Sequence, residues 1–229
     1  METDVLPHTS QATPAAFHDI FEEVEKAGES AVVLTLSSKL SGTYQSAMIA
    51  AADYDNIFVV DSDSVAIGSG ILTEYALQLA ETGMDARSIA QCLETEKKKI
   101  RVVAMVNTLE YLKKGGRISS TVAFAGSVLN IKPVLSLIGG QITMLGKARG
   151  SKQGNNLLVT EINKAGGVDF ERPVLLGYTG LTDALLQKYI EDSKSLWQHS
   201  TNELNTTIIG SVIGTHVGPG AIAVAFFTK

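Results

Sequence analysis

Near the start of the chain, apolar residues recur at helical spacing just after a proline. Thr13 can cap a helix opened by Pro14, Phe17, Ile20, Phe21 and Val24 fall on one face, and Gly28 closes it. The run AVVLTL (31–36) is short, unbroken and rich in branched residues, which predicts a buried strand. A small-residue loop, SSKLSG, leads to a helix over 43–52. The cycle then repeats. IFVV (57–60) predicts a second buried strand ending at Asp61, and the loop SDSVAIGSG (62–70) runs into a helix over 71–82. A further helix over 87–99 carries EKKK, which reads as a solvated face, and 101–106 predicts a third strand. Strands alternating with helices, without hairpin signals, predict a mostly parallel α/β sheet covered on both faces.

After Asn107 the texture changes. LEYLKKGGRIS predicts a short helix closed by Gly115-Gly116 and followed by a basic turn at Arg117, and TVAFAGSVLN (121–130) a small apolar helix. LNIKPVLSL and QITMLGKARG read as two strands joined by a turn at Gly139-Gly140. A helix over 152–165, a strand over 173–178 and a helix over 183–199 follow. The segment 207–212 leads into SVIGTHVGPGAIAVAFF (211–227), where Gly214, Gly218, Pro219 and Gly220 frame His216 in a loop almost without bulk, ahead of the apolar run 221–227. The fold class is therefore α/β with two domains. A mostly parallel α/β domain is expected over 1–108 and an α+β domain over 109–229.

Composition narrows the function. At 229 residues, 45% hydrophobic and 19% charged, the chain can bury a sizeable core. Its net charge of −5 argues against nucleic acid as a partner, because binding phosphates needs concentrated basic surface. Cys92 is the lone cysteine, so no internal disulfide or CxxC site exists. No run is long and apolar enough to cross a bilayer, and residues 1–10 lack the pattern of a signal peptide. A cytoplasmic protein is expected, with no metal, no cofactor and no assigned catalytic residue. GxSxG, HExxH and GxGxxG motifs are missing, and the histidines at 8, 18, 199 and 216 have no ligand spacing.

Three short segments share a chemistry instead. Thr9-Ser10, Ser41-Gly42-Thr43 and 214–220 each set hydroxyl or imidazole groups beside backbone N–H groups. Ser41 and Gly42 stand between a predicted strand and a predicted helix, where open α/β sheets bind ligands and a helix start favours an anion. Singly, such hydroxyls are ordinary caps. With His216 they would form a neutral cradle for one carboxylate, without lysine or arginine. A second reading takes Ser41 as nucleophile, His216 as base and Asp61 as the orienting acid of a hydrolase or acyltransferase. A third is a protein-binding regulatory module with neither activity.

Taken in order, TSQATP, LSGTYQSA, VDSDSVAIGSG, LEYLKKGGRIS, GSVLNIKP, KARGSK and IGTHVGPGAIAVAF resemble the DegV family over essentially the whole chain. These are bacterial fatty-acid-binding proteins that include subunits of fatty-acid kinase. The resemblance implies two domains holding one long-chain fatty acid between them, in a tunnel to which 123–131 and 221–227 would contribute. It implies a carboxylate held by Thr9, Ser10, Ser41 with Gly42, and His216. It also implies an ATP-dependent fatty-acid kinase as partner, forming acyl phosphate for phospholipid synthesis, with Arg149 of KARG as the residue facing it. Members of that family begin with a strand and a DSTADL-like segment ahead of TSQ, which METDVLPHTSQ does not show. The first domain is expected to be shortened accordingly and to expose a sheet edge.

Overall fold

Thr13 opens the first helix as its side chain predicts. Its Oγ1 accepts the Ala16 N–H at 3.3 Å, and helix α1 runs Pro14–Lys26. The computed structural model describes residues 6–118, 130–198, 200 and 203–229. Residues 121–129 of the apolar helix expected over 121–130, and His199, lie outside the described residues.

One compact unit comprises Ser10–Ile100 and Gly139–Gln141. After α1 come β1 (Ala31–Thr35), α2 (Thr43–Ala51), β2 (Ile57–Asp61), α3 (Ile67–Glu81) and α4 (Ala86–Glu96). The two strands pair in parallel from Ala31↔Ile57 to Thr35↔Asp61. Phe21 of α1 packs on Ala50, Tyr54 and Ile57, with the Tyr54 ring edge-on at 5.9 Å.

Two local readings need correcting here. The helix expected from residue 71 starts a turn earlier, at Ile67. Ser62 Oγ accepts the Ser64 N–H at 3.2 Å, closing the serine-rich bend, and Ala66 turns left-handed at φ +52°, so the following residues are free to coil. EKKK is not a uniform solvated face either. Glu96 and Lys97 are buried, α4 ends at Glu96, and residues Lys97–Lys99 form a 3₁₀ turn. Lys97 Nζ donates to the Asp61 carbonyl at 2.8 Å and pairs with Glu94 at 2.7 Å. Its aliphatic stem lets it bury while the ammonium stays satisfied.

The other unit comprises residues 6–9 and the described parts of Arg101–Ile138 and Ile142–Lys229. It is built on a six-stranded mixed sheet. The strands are β3 (Ile100–Met105), β4 (Ile131–Ile138), β5 (Gln141–Arg149), β6 (Leu175–Tyr178), β7 (Asn205–Ile208) and β8 (Ile222–Phe227), in the order β5-β4-β3-β8-β6-β7. The third strand thus does not extend the parallel pair β1-β2, as its sequence suggested. It runs antiparallel to β4 through Val103↔Ser136 and Met105↔Val134. β8 is buried at every position and lies between β3 and β6, antiparallel to the latter.

The helices of this unit are α5 (Glu110–Lys114), α6 (Gly150–Lys164), α7 (Ala184–Asp192), α8 (Lys194–Trp197) and α9 (Ser211–Val217). The single helix expected over 183–199 breaks at Ser193, whose Oγ donates to the Tyr189 carbonyl at 2.5 Å and accepts from Trp197 Nε1 at 2.9 Å. Leu158, Ile162, Leu186, Tyr189 and Trp197 close over Ile222, Val224 and Phe226. Those three β8 side chains, expected among the lining of a tunnel, are core residues.

Candidate functional site

His216 lies in the last turn of α9 and not in a loop. Thr215 Oγ1 returns to the Ser211 carbonyl at 2.9 Å, and Gly218, at φ +77°, ends the helix with its N–H on the Gly214 carbonyl at 2.8 Å. The Gly-Pro-Gly turn behind it is clamped by Thr179. That buried hydroxyl donates to the Gly218 carbonyl at 2.6 Å and accepts the Ala221 N–H at 2.9 Å. Asn107 Nδ2 holds the Pro219 carbonyl at 2.8 Å. A Cβ on Gly218 would stand 2.4 Å from the Tyr111 ring, so only glycine lets α5 approach this closely.

The turn aims His216 at Thr9. Nε2 lies 2.7 Å from Thr9 Oγ1, joining residues that stand far apart in sequence. Nδ1 is buried and has no hydrogen-bond partner among the described residues. Which of the two groups donates across the Nε2–Thr9 bond depends on the ring's tautomer. With the ring proton on Nε2, the Thr9 hydroxyl proton is turned toward other acceptors. Burial, followed by the positive charge of Arg117, holds the His216 pKa below its ordinary 6.5, so the ring is neutral at pH 7.

A pocket of about 360 Å³ opens beside this pair, lined by His8, Thr9, Tyr111, Lys114, Arg117 and His216 among others. The cradle expected from the sequence contained no basic residue, whereas the pocket beside Thr9 and His216 does. Arg117 stands on the pocket wall, with Nη1 on the Gly115 carbonyl at 2.6 Å. The signal was present in LKKGGRIS, where two glycines turn a basic residue back over a helix end.

Of the other expected site residues, Ser10, Ser41 and Gly42 belong to the first-described unit. Ser41 Oγ lies 2.9 Å from Thr43 Oγ1 and accepts the Thr43 N–H at 3.3 Å, at the start of α2. Gly42 is the N-cap of that helix. A Cβ there would stand 2.0 Å from Gln11 Oε1, because the Gln11 amide fills the space on its way to Ser46 Oγ at 3.0 Å. Ser10 is exposed. Arg149 is exposed at the start of α6, its backbone N–H on Gln153 Oε1 at 3.1 Å.

The Ser–His–Asp reading lacks its third group. The Asp61 carboxylate accepts from Ser38 N at 3.1 Å and Asp63 N at 3.0 Å, closing a turn, while His216 Nδ1 meets no carboxylate among the described residues.

An α/β chain of two units, with a parallel strand pair in one and a mixed sheet in the other, carries a threonine–histidine pair beside a basic pocket. Residues 1–229 match the family described as uncharacterised protein, DegV family, and the chain belongs to that family. It is 34% identical over 227 residues to a DegV domain-containing protein of Caldanaerobacter subterraneus, covering 98% of this chain and 80% of that one. Its fold matches a fatty-acid-binding DegV family protein of Thermus thermophilus with a TM-score of 0.86 at 29% identity, over 98% of this chain and 80% of the other. It also matches a DegV lipid-binding protein of Thermotoga maritima with a TM-score of 0.84 at 26% identity, over 100% of this chain and 80% of that chain.

Proposed function

We propose that this protein binds a long-chain fatty acid as a carrier, with the carboxylate received at the Thr9–His216 pair, and presents it to an ATP-dependent fatty-acid kinase. The observation that carries the reading is the 2.7 Å bond between Thr9 Oγ1 and His216 Nε2, with Nδ1 buried and unpartnered. With the ring proton on Nε2, the Thr9 hydroxyl is a donor for an anion, and the fatty-acid-binding neighbours support an acyl chain as what that anion carries. A hydrogen bond to a charged group contributes roughly 1.5–3 kcal/mol. Burial of the acyl chain contributes about 0.8 kcal/mol per methylene before the costs of ordering and association. Ser10, Ser41 and Gly42 are proposed as further hydroxyl and N–H donors to the carboxylate on the same chemical grounds. Arg149, exposed on a basic KARGSK segment of an acidic chain, is proposed as the residue that meets the kinase.

Mass spectrometry of lipid released from the purified protein tests the carrier role. Stoichiometric fatty acid is expected, and its absence together with no binding of added palmitate overturns the reading. The partner role is tested separately. Arg149→Ala should leave palmitate binding unchanged and impair acyl-phosphate formation by a fatty-acid kinase, whereas loss of palmitate binding would place Arg149 in the pocket instead.

A further inference from the structure

We propose that the outer edge of β1 is a docking site for an extended, uncharged apolar polypeptide segment, which joins the parallel pair as a third strand. The inference concerns the first-described unit alone and rests on no part of the fatty-acid reading. The Ala31 N–H donates to the Asn56 carbonyl at 3.0 Å, and the Ser62 N–H to the Thr35 carbonyl at 3.1 Å. In a parallel ladder that register turns the backbone groups of Ala31, Val33 and Thr35 toward β2 and those of Val32 and Leu34 outward. Among the described residues the sheet is β1-β2, and no strand pairs with the outward edge. A row of N–H and C=O groups of this kind is a template for a further strand.

The side chains beside the edge decide which strand it takes. A groove of about 340 Å³ is lined by Val32 and Leu34 of β1, Ala76 and Leu77 of α3, Met84 and Ile89, among others. Among the described residues none that lines it is charged. Leu77 and Met84 remain 60% and 36% exposed, large apolar side chains left open to water. The edge of β2 is built otherwise. There the Arg87 guanidinium lies over the Phe58 ring at 4.8 Å, and Lys97 Nζ takes the outward Asp61 carbonyl at 2.8 Å. Charged side chains on an edge block further pairing, so β2 is guarded where β1 is not. Parallel sheets are ordinarily covered on both faces, and two strands make a marginal one. An added strand continues the ladder through Val32 and Leu34 while its side chains fill the groove. A charged side chain would lose its hydration against this wall, which excludes acidic and basic segments. A groove of this size takes the side chains of one strand, not the surface of a second folded copy.

The probe is a fluorescently labelled peptide, KKAVVLTLKK, carrying the chain's own β1 run between lysines for solubility. KKAVVPTLKK is its control, because proline cannot complete the ladder. The first should bind saturably and the second about tenfold or more weakly. On binding, hydrogen exchange at the Val32 and Leu34 amides should slow, while that at Val33 and Thr35, already turned to β2, changes little. Leu77→Lys sets a charge in the groove wall and should weaken KKAVVLTLKK by about tenfold or more. Leu77 is exposed, so the variant keeps its core, and the exchange measurement on the parent needs no variant at all. No binding of KKAVVLTLKK, equal binding of the two peptides, or binding without protection at Val32 and Leu34 overturns the docking site. Sedimentation of the peptide-free protein tests the other occupant. A dimer that Leu77→Lys dissociates, with Val32 and Leu34 already protected, would put a second copy on the edge and overturn the peptide assignment.

Discussion

At the residue scale, two adjacent glycines have opposite reasons to be glycine. Gly115 sits at an ordinary helical φ of −75°, but a Cβ there would stand 2.3 Å from His216 Nδ1. Gly116 has φ +70° and nothing near a would-be Cβ. Gly115→Ala should therefore displace the imidazole and weaken palmitate binding by about tenfold with little change in stability. Gly116→Ala should cost roughly 1–2 kcal/mol of stability in a urea melt and leave palmitate affinity unchanged. The reverse pattern would show that His216 does not position the carboxylate donor. His216 itself sets two pH dependences. Its folded pKa is depressed below 6.5, so the unfolded chain takes up the proton first. Stability of the ligand-free protein should fall as pH drops from 6.5 toward the folded value, and His216→Gln should remove that component. A bound carboxylate pushes the pKa back up. Affinity should then decline as pH rises from the free to the bound value and level off above it. Identical slopes in parent and His216→Gln between about pH 5.5 and 8.5 would take His216 out of the site.

At the scale of elements, the Gly-Pro-Gly turn owes its shape to β6 more than to its own glycines. Thr179 leaves the end of that strand and satisfies a carbonyl and an N–H of the turn at once. Thr179→Val keeps the volume but strands both backbone groups in a buried setting, at roughly 1–3 kcal/mol each. A loss of about 2–5 kcal/mol is expected from chemical denaturation, with most of it restored in Thr179→Ser. An unchanged midpoint in Thr179→Val would mean the clamp contributes nothing. The elements also show where local pattern stops being informative. Pro14, Thr13 and Gly28 bound α1 because capping involves only neighbours in sequence. SVIGTHV reads as a loop from its glycine content, yet it forms two helical turns because Gly218 supplies the left-handed stop and Thr215 a return bond.

At the scale of the whole molecule, neither compact unit is a continuous stretch of chain. Residues 6–9 belong with the six-stranded sheet, and Gly139–Gln141 with the parallel pair, where the Gly140 carbonyl accepts from Ser37 Oγ at 2.8 Å. A ligand that binds only the folded form adds to its stability by mass action. Palmitate at a hundredfold excess over its Kd should add about 2.7 kcal/mol to the free energy of unfolding. The increment should shrink in His216→Gln, and thermal melts that do not respond to palmitate in the parent would count against a carrier.

Strand and helix positions over most of the chain follow from the sequence alone, because burial period and capping act within a few residues. Ala31–Thr35, Ile57–Asp61 and the strands either side of Gly139-Gly140 appear where their apolar patterns put them. Thr9, Ser41 and His216 were recognisable as candidates because hydroxyls and an imidazole beside glycines suit an anion. The tertiary structure alone decided which partners these groups meet. β3 looked like a third parallel strand, but its edges are taken by β4 and by β8, which lies more than a hundred residues downstream. Lys97 looked solvated until the Asp61 carbonyl was brought to it. Arg117 entered the pocket, and Thr9 met His216, through contacts that no local pattern records. Side-chain chemistry is written residue by residue, whereas proximity across the chain is set by long-range strand pairing and core packing.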